Sequence, residues 1–280
     1  MIDLDALAQA ASCLEPLPMS VTRLATMVCG ETPADLDQIV EIVQYDQALT
    51  ASLLRAANSS WSASRTEITN VKDAVVRLGS STVFSIALGV NVKSRMVRDV
   101  PEYGLNEGDL WNHSVAASLA GELLLRHCKD KLPAETVTAA LLHDVGKLVM
   151  CRFLGDDILG VLSRAHEESG LTRMEAEYEV LGVHHAELGG LIAQIWGLPD
   201  SLVRGISYHH SPAIGMDPIC YGVYLCDVIA KVIGAGMDDN TDLETYAHAM
   251  AELQLGADDF DEICRTADTR FAEVLARFDG

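Results

Sequence analysis

The heptapeptide Leu141-Leu142-His143-Asp144-Val145-Gly146-Lys147 sets an imidazole beside a carboxylate, behind two apolar residues. That is the chemistry of a buried metal site. On a helix, consecutive side chains diverge by about 100°. His143 and Asp144 therefore serve one small region only if the helix presents an edge to it, or if the carboxylate bridges two ions. Lys147 follows His143 by four residues and Asp144 by three. It returns to the same face, where it would meet a substrate phosphate. Taken alone, the heptapeptide fits a plainer arrangement equally: a helix end with an Asp144–Lys147 ion pair and a core histidine.

The other histidines favour the metal reading. All nine lie at or after position 113, a distribution that random placement gives about once in a hundred. His113, His185 of the pair His184-His185, and the pair His209-His210 fall on separate predicted helices, as does Asp227. Helical bundles build cofactor sites by such convergence, because one helix offers only an i, i+3 or i, i+4 pair. Imidazole and carboxylate in this proportion favour iron, manganese or zinc over calcium or magnesium. Of His184-His185 only one can face a site. His185 is the choice because Gly189, four residues on, lets another helix approach; His184 is then solvated or stands behind the ligands. Each candidate also has a structural role open to it. His113 could bond a backbone group, His209-His210 could supply positive charge at a helix C-terminus, and Asp227 could pair with Lys231 at i, i+4. Apolar neighbours from Tyr224 to Ile229 imply that Asp227 is buried, which a carboxylate resists without a strong partner. His127, His166 and His248 have polar neighbours and read as surface residues.

Composition sets the frame for these residues. A chain of 280 residues, 49% hydrophobic but only 5% aromatic, favours helix packed on helix. The expected fold class is all-α. A net charge of −21 opposes a sequence-independent grip on a polyphosphate backbone, so nucleic acid and anionic membranes are not expected partners. Seven scattered cysteines, none in a CxxC pair, read as buried thiols of a reducing compartment. The acidic N-terminus lacks a signal-peptide pattern, and no uncharged apolar run reaches the roughly 18 residues that span a bilayer. A cytoplasmic location follows as an expectation.

Periodicity and caps predict helices over 3–13, 19–29 and 33–45, the last with Thr32 as cap and Pro33 in its first turn. Further helices are expected over 47–58, capped by Asp46, then from Asn70 and Asp73 to Gly79, and over 80–97, with a loop over 59–69. Pro101 and Gly104 break the pattern, so the chain divides into 1–104 and 105–280. The second part should hold helices over 109–127, from Pro133 into His143-Asp144 with Gly146 near its end, and over 156–169, 173–182, 185–196, 200–210, 217–234, 242–254 and 259–277. Thr172 with Glu175 forms a capping box. The last helix is strongly amphipathic.

The order His113, His143-Asp144, His185, His209-His210, Asp227 resembles the ligand order of the HD superfamily of metal-dependent phosphohydrolases, and closely that of its HD-GYP phosphodiesterase branch. Leu17-Pro18, Leu53 through Ser59, Ala74 through Gly79, Gly189 through Pro199 and Tyr208 through Pro212 extend the likeness. Over residues 15–235 the chain resembles an HDOD domain, a bacterial signalling relative of that superfamily. The resemblance implies an N-terminal helical bundle followed by an HD-type helical domain. It also implies two divalent transition-metal ions, iron or manganese ahead of zinc. Asp144 would bridge them, with His113, His143 and Asp227 on one ion and His185, His209 and His210 on the other. Lys147 would steady the phosphate of a nucleotide or other phosphate ester under hydrolysis. HDOD domains are regulatory and many lack the ligands, so a signalling protein partner is implied as well; this chain keeps a suitable residue at every ligand position. Two departures count against cyclic-di-GMP hydrolysis. Nothing after His210 resembles the Gly-Tyr-Pro loop, and Gln47 stands where relatives often have proline. The alternative is a non-catalytic scaffold or nucleotide sensor with a structural or vestigial metal site. It would act through a surface that includes Arg55, Asn58 and Trp61, whose plainer roles are packing and helix capping.

Overall fold

Five helices open the chain: α1 (Met19–Val28), α2 (Leu36–Gln44), α3 (Gln47–Ala57), α4 (Val71–Leu78) and α5 (Ser80–Met96). The computed structural model describes residues 15–30, 35–59, 67–97, 103, 105–128, 131–153, 160–161, 171–236 and 241–278. Helix starts follow from short polar side chains that satisfy the unpaired N–H groups of a first turn. Asp46 accepts from the Leu49 N–H at 3.0 Å and Asn70 from that of Asp73 at 2.8 Å, both as expected. One cap is corrected. The helix expected from Pro33 starts at Leu36, because Asp35 accepts from the Asp37 N–H at 3.0 Å. Gly79, at φ 79°, makes the 109° bend between α4 and α5, a left-handed backbone that side chains resist. The side-chain amide of Asn58 donates to the carbonyls of Leu54 (2.9 Å) and Ile68 (2.7 Å), and its oxygen accepts from the Ile68 N–H (2.8 Å). Asn58 thus caps the end of α3 and ties Ile68 to it, its plainer role. Arg55 is exposed and donates to the Ser52 hydroxyl at 3.1 Å; Trp61 lies outside the described residues.

The remaining helices are α6 (Asp109–His127), α7 (Thr136–Leu142), α8 (Gly146–Phe153), α9 (Arg173–Leu181), α10 (His185–Ile195), α11 (Asp200–Ser207), α12 (Pro212–Gly215), α13 (Pro218–Val232), α14 (Leu243–Glu252) and α15 (Ala257–Phe278). The described residues contain no strand, so the all-α expectation holds. Helix 3–13 lies outside the described residues, as does most of 156–169. The Thr172–Glu175 capping box is present. Another expectation is corrected: Gly146 does not sit near the end of a helix that runs through His143-Asp144. The helix stops at Leu142 and Gly146 opens the next one.

Two apolar clusters hold the chain. The first runs from Leu17 to Val223 and joins the opening helices to α7, α8, α10 and α11; Phe84, Leu24, Leu49, Leu88 and Leu142 are sealed within it. Each such side chain contributes about 1.5–3 kcal/mol on burial. A hydrogen bond of 2.8 Å between the buried hydroxyls of Ser85 and Thr138 fixes α5 against α7. The second cluster packs α6, α13, α14 and α15, with Phe260, Ile263, Ala267 and Phe271 as the inward stripe of the last helix. Cys128, Cys220, Cys226 and Cys264 are buried free thiols and Cys29 is half-buried. Among the described residues no single helix is long and apolar enough to cross a membrane.

Candidate metal centre

Five segments deliver side chains to the seam between these clusters. His113 lies one turn into α6 on its buried face. His143 and Asp144 occupy a turn between α7 and α8, where Val145 N–H bonds to the Leu142 carbonyl (2.9 Å) and Lys147 N–H to that of Asp144 (3.0 Å). These three-residue steps turn consecutive side chains apart by about 120°, so His143 and Asp144 reach the pocket from its two sides, the turn presenting an edge to it. The turn is pressed against the start of α10. A Cβ on Gly146 would lie 1.9 Å from the His185 carbonyl oxygen and 2.7 Å from the Gly189 nitrogen. Gly189 is where another backbone comes close, as its spacing from His185 suggested: a Cβ there would lie 3.5 Å from the His143 carbonyl oxygen. His209 and His210 follow the last turn of α11, and Asp227 is buried in the middle of α13.

All seven proposed ligands meet at one place. Around the oxygens of Asp144 they form two groups. Oδ2 of Asp144 lies 3.6 Å from His113 Nε2 and 3.5 Å from His143 Nε2. Oδ1 of Asp227 stands 3.1 Å from His113 Nε2 and 3.7 Å from His143 Nε2. The other oxygen of Asp144, Oδ1, faces His185 Nε2 at 3.2 Å, which in turn is 2.9 Å from His210 Nε2. His209 stands between the groups, its ring centroid 4.9 Å from that of His143 and 5.5 Å from that of His185. Ligand atoms at such separations could hold an ion in each group, His113, His143 and Asp144 in one and His185, His209 and His210 in the other.

The rings are oriented from behind. Nδ1 of His113, His143 and His209 each lies 2.7 Å from a carbonyl oxygen, of Ala235, Ala140 and Ile206 respectively. A carbonyl only accepts, so in each ring Nδ1 carries the proton and Nε2 is the free coordination position. The Nε2 atoms of His113 and His143 then face each other at 3.1 Å, an arrangement that a cation relieves. His209 Nε2 is buried and has no hydrogen-bond partner. A buried polar atom without a partner costs about 1–3 kcal/mol. The donor set of imidazole nitrogens and carboxylates therefore fits a divalent transition metal.

Charge is balanced within the pocket. Lys147 Nζ meets Asp144 Oδ2 at 2.7 Å and Lys231 Nζ meets Asp227 Oδ2 at 2.8 Å, so both plainer ion pairs exist alongside the cluster. Burial opposes the ionised form of Asp144, but Lys147, His143 and His185 outweigh it and hold the carboxyl well below the usual range. For Asp227 burial is likewise outweighed, by Lys231, His113 and His143. Burial also opposes an imidazolium at His185, yet Glu177 and Asp144 hold its pKa up to about 9. Burial pushes His209 and His210 well down, aided by their neighbouring histidines, which keeps both rings neutral and able to coordinate.

Two residues of this site had no signal in the sequence. Glu177, on α9, accepts from the His185 N–H at 2.7 Å and from its Nδ1 at 2.8 Å; Tyr103 donates its hydroxyl to the same carboxylate at 2.6 Å. Glu177 and Glu179 look alike in the sequence, and only packing buries the first. His184 is half-buried, and at the start of α10 its main-chain N–H donates to Glu187 Oε2 at 3.4 Å. His127 and His248 are exposed, as expected; His248 also stacks on Tyr221 at 9°. His166 lies outside the described residues.

The HDOD domain family model matches residues 14–212. An HDOD domain protein of unknown function from Geobacter sulfurreducens superposes with a TM-score of 0.74 at 23% identity, covering 99% of this chain and 98% of that one. A candidate phosphohydrolase from Shewanella amazonensis SB2B superposes at 0.70 with 25% identity, covering 96% and 95%. An uncharacterized protein of Treponema pallidum (strain Nichols) is 24% identical over 207 residues, 73% of this chain; the chain spans 39% of that relative's length.

Proposed function

Since this chain belongs to the HDOD family, we propose that it is a regulatory protein built on a two-ion centre, with metal-dependent hydrolysis of a phosphate ester as its chemistry. The observation that carries this reading is the disposition of Asp144, whose two oxygens face separate nitrogen groups at 3.5 and 3.2 Å. His113, His143 and Asp227 would hold one ion and His185, His209 and His210 the other, with iron or manganese ahead of zinc. When bound, such a pair activates water near neutral pH and neutralises phosphoryl oxygens. The protein's part is to fix the rings from behind through Nδ1 and to keep the site dry. Lys147 has a second task. Its ammonium, 2.7 Å from Asp144 Oδ2, would also lie close enough to the ions to steady a substrate phosphate.

The competing reading is a scaffold or nucleotide sensor whose metal site is structural or vestigial. It draws on the two lysines, whose ammonium groups pair with Asp144 and Asp227 at 2.7 and 2.8 Å. Metal analysis of protein purified without chelators, followed by a panel of nucleotides and cyclic dinucleotides, separates the two. The hydrolytic reading expects about two ions per chain, phosphate-ester turnover, and loss of both in His143→Ala. Equal metal content in wild type and His143→Ala overturns the metal site; ions without turnover on any phosphate ester favour the scaffold. A signalling partner and a bacterial cytoplasmic setting belong to the same proposal.

A further inference from the structure

Glu177 meets His185 through both its main chain and its ring. The His185 N–H, one of the unpaired donors at the start of α10, reaches Oε2 at 2.7 Å, and Nδ1 lies 2.8 Å from Oε2 and 3.0 Å from Oε1. A carboxylate at 2% exposure persists only if such donors replace its water. Tyr103 completes the set with its hydroxyl at 2.6 Å from Oε1. An ionised carboxylate only accepts, so Nδ1 of His185 carries the proton and Nε2 is aimed at Asp144 Oδ1, 3.2 Å away. The ring of Tyr103 lies 5.3 Å from Lys147 Nζ, the group that holds the other oxygen of Asp144. Tyr103 therefore lies against Lys147, the partner of one Asp144 oxygen, and against Glu177, which holds His185, the partner of the other.

We propose that Glu177 and Tyr103 are positioning residues that set His185 for the second ion, tying the segment ahead of α6 to the metal centre. This rests on the two-ion reading above. Carboxylates behind a ligating histidine fix its tautomer and raise its basicity, and their loss lowers metal affinity about 10–100-fold. Glutamine at 177 would present an N–H₂ to the donors of His185, so donor faces donor. Phenylalanine at 103 keeps the ring and removes the hydroxyl, with its contacts to Glu177 Oε1 at 2.6 Å and Met150 Sδ at 3.0 Å.

The test is a Mn²⁺ titration of the full chain, followed through the free-ion electron paramagnetic resonance signal, with the His185 Nδ1–H resonance read by NMR. Wild type is expected to take two ions. Glu177→Gln should bind the first as wild type does, bind the second about 10–100-fold more weakly, and shift the Nδ1–H resonance. Tyr103→Phe should weaken the second ion less, by about three- to tenfold. Wild-type affinity for both ions in Glu177→Gln overturns the proposal, as does equal weakening of both with intact helical circular dichroism. If Glu177→Gln does not fold, Tyr103→Phe decides, and an unchanged second-ion affinity there overturns it. A wild type that takes fewer than two ions defeats the two-ion reading and this inference together, an outcome distinct from failure of the variants alone.

Discussion

Alanine at position 146 should force α8 away from α10 and open the metal centre. The methyl carbon would lie 1.9 Å from the His185 carbonyl oxygen, against an ordinary contact of at least 3.4 Å, so the backbones must part by about 1.5 Å. Neither obstacle can rotate away, since His185 oxygen and Gly189 nitrogen are both main chain. His143 and Asp144 immediately precede this contact and His185 sits across it, so the two ligand groups separate with the helices. Metal sites tolerate errors of about 0.2 Å in ligand distance. The displacement exceeds that several-fold, so on the two-ion proposal Gly146→Ala should lose the ion assigned to His185, His209 and His210. Overpacking costs about 1–3 kcal/mol, which for a chain of this size lowers Tm by roughly 2–10 °C. Gly189→Ala provides the graded comparison, because its methyl meets a side-chain atom, Cγ2 of Ile206, at 2.9 Å, and the main chain only at 3.4 Å or more. Metal content and thermal melts of both variants form the assay. If Gly146→Ala keeps two ions and a wild-type Tm, the approach of these two backbones is not what assembles the site.

Two further perturbations test the electrostatics. Lys147→Met leaves buried Asp144 without its ammonium, which should destabilise the ion-free protein by about 3–5 kcal/mol. At one fixed Mn²⁺ concentration the variant, whose Asp144 has no competing ammonium, should regain more stability than wild type, by about 1.4 kcal/mol for each tenfold gain in affinity; melts that respond equally to Mn²⁺ in wild type and variant would contradict this. Away from the centre, burial raises the Glu122 carboxyl to about 7, partly offset by Arg270 at 3.4 Å and by Arg126. The folded chain holds that proton where the unfolded chain has lost it, so the associated stability is complete below about pH 4.5 and is lost as pH rises through about 7. Urea melts should show Glu122→Gln gaining on wild type between pH 5 and pH 8, by at most about 3 kcal/mol. A difference that stays constant with pH would refute the assignment.

Some of this protein was readable residue by residue. Asp46, Asn70 and the Thr172–Glu175 box announce helix starts because a cap is a contract between residues two or three apart, and the amphipathic stripe of α15 needs only its own period. The metal-type side chains were legible by kind and by their crowding into the second part of the chain. The start of α2 was misplaced by three residues, since Thr32 and Asp35 are both plausible caps and local chemistry does not choose between them. What tertiary structure alone decided is how the pieces face each other. Gly146 opens a helix because the backbone of His185, distant in sequence, occupies the space a side chain would need. Glu175 is marked by its capping box, but Glu177 differs from Glu179 only by what packs over it, and Tyr103 joins it from 74 residues away. Burial, which turns an ordinary carboxylate into one that must find donors, is a property of the assembled helices and is absent from any local stretch of the chain.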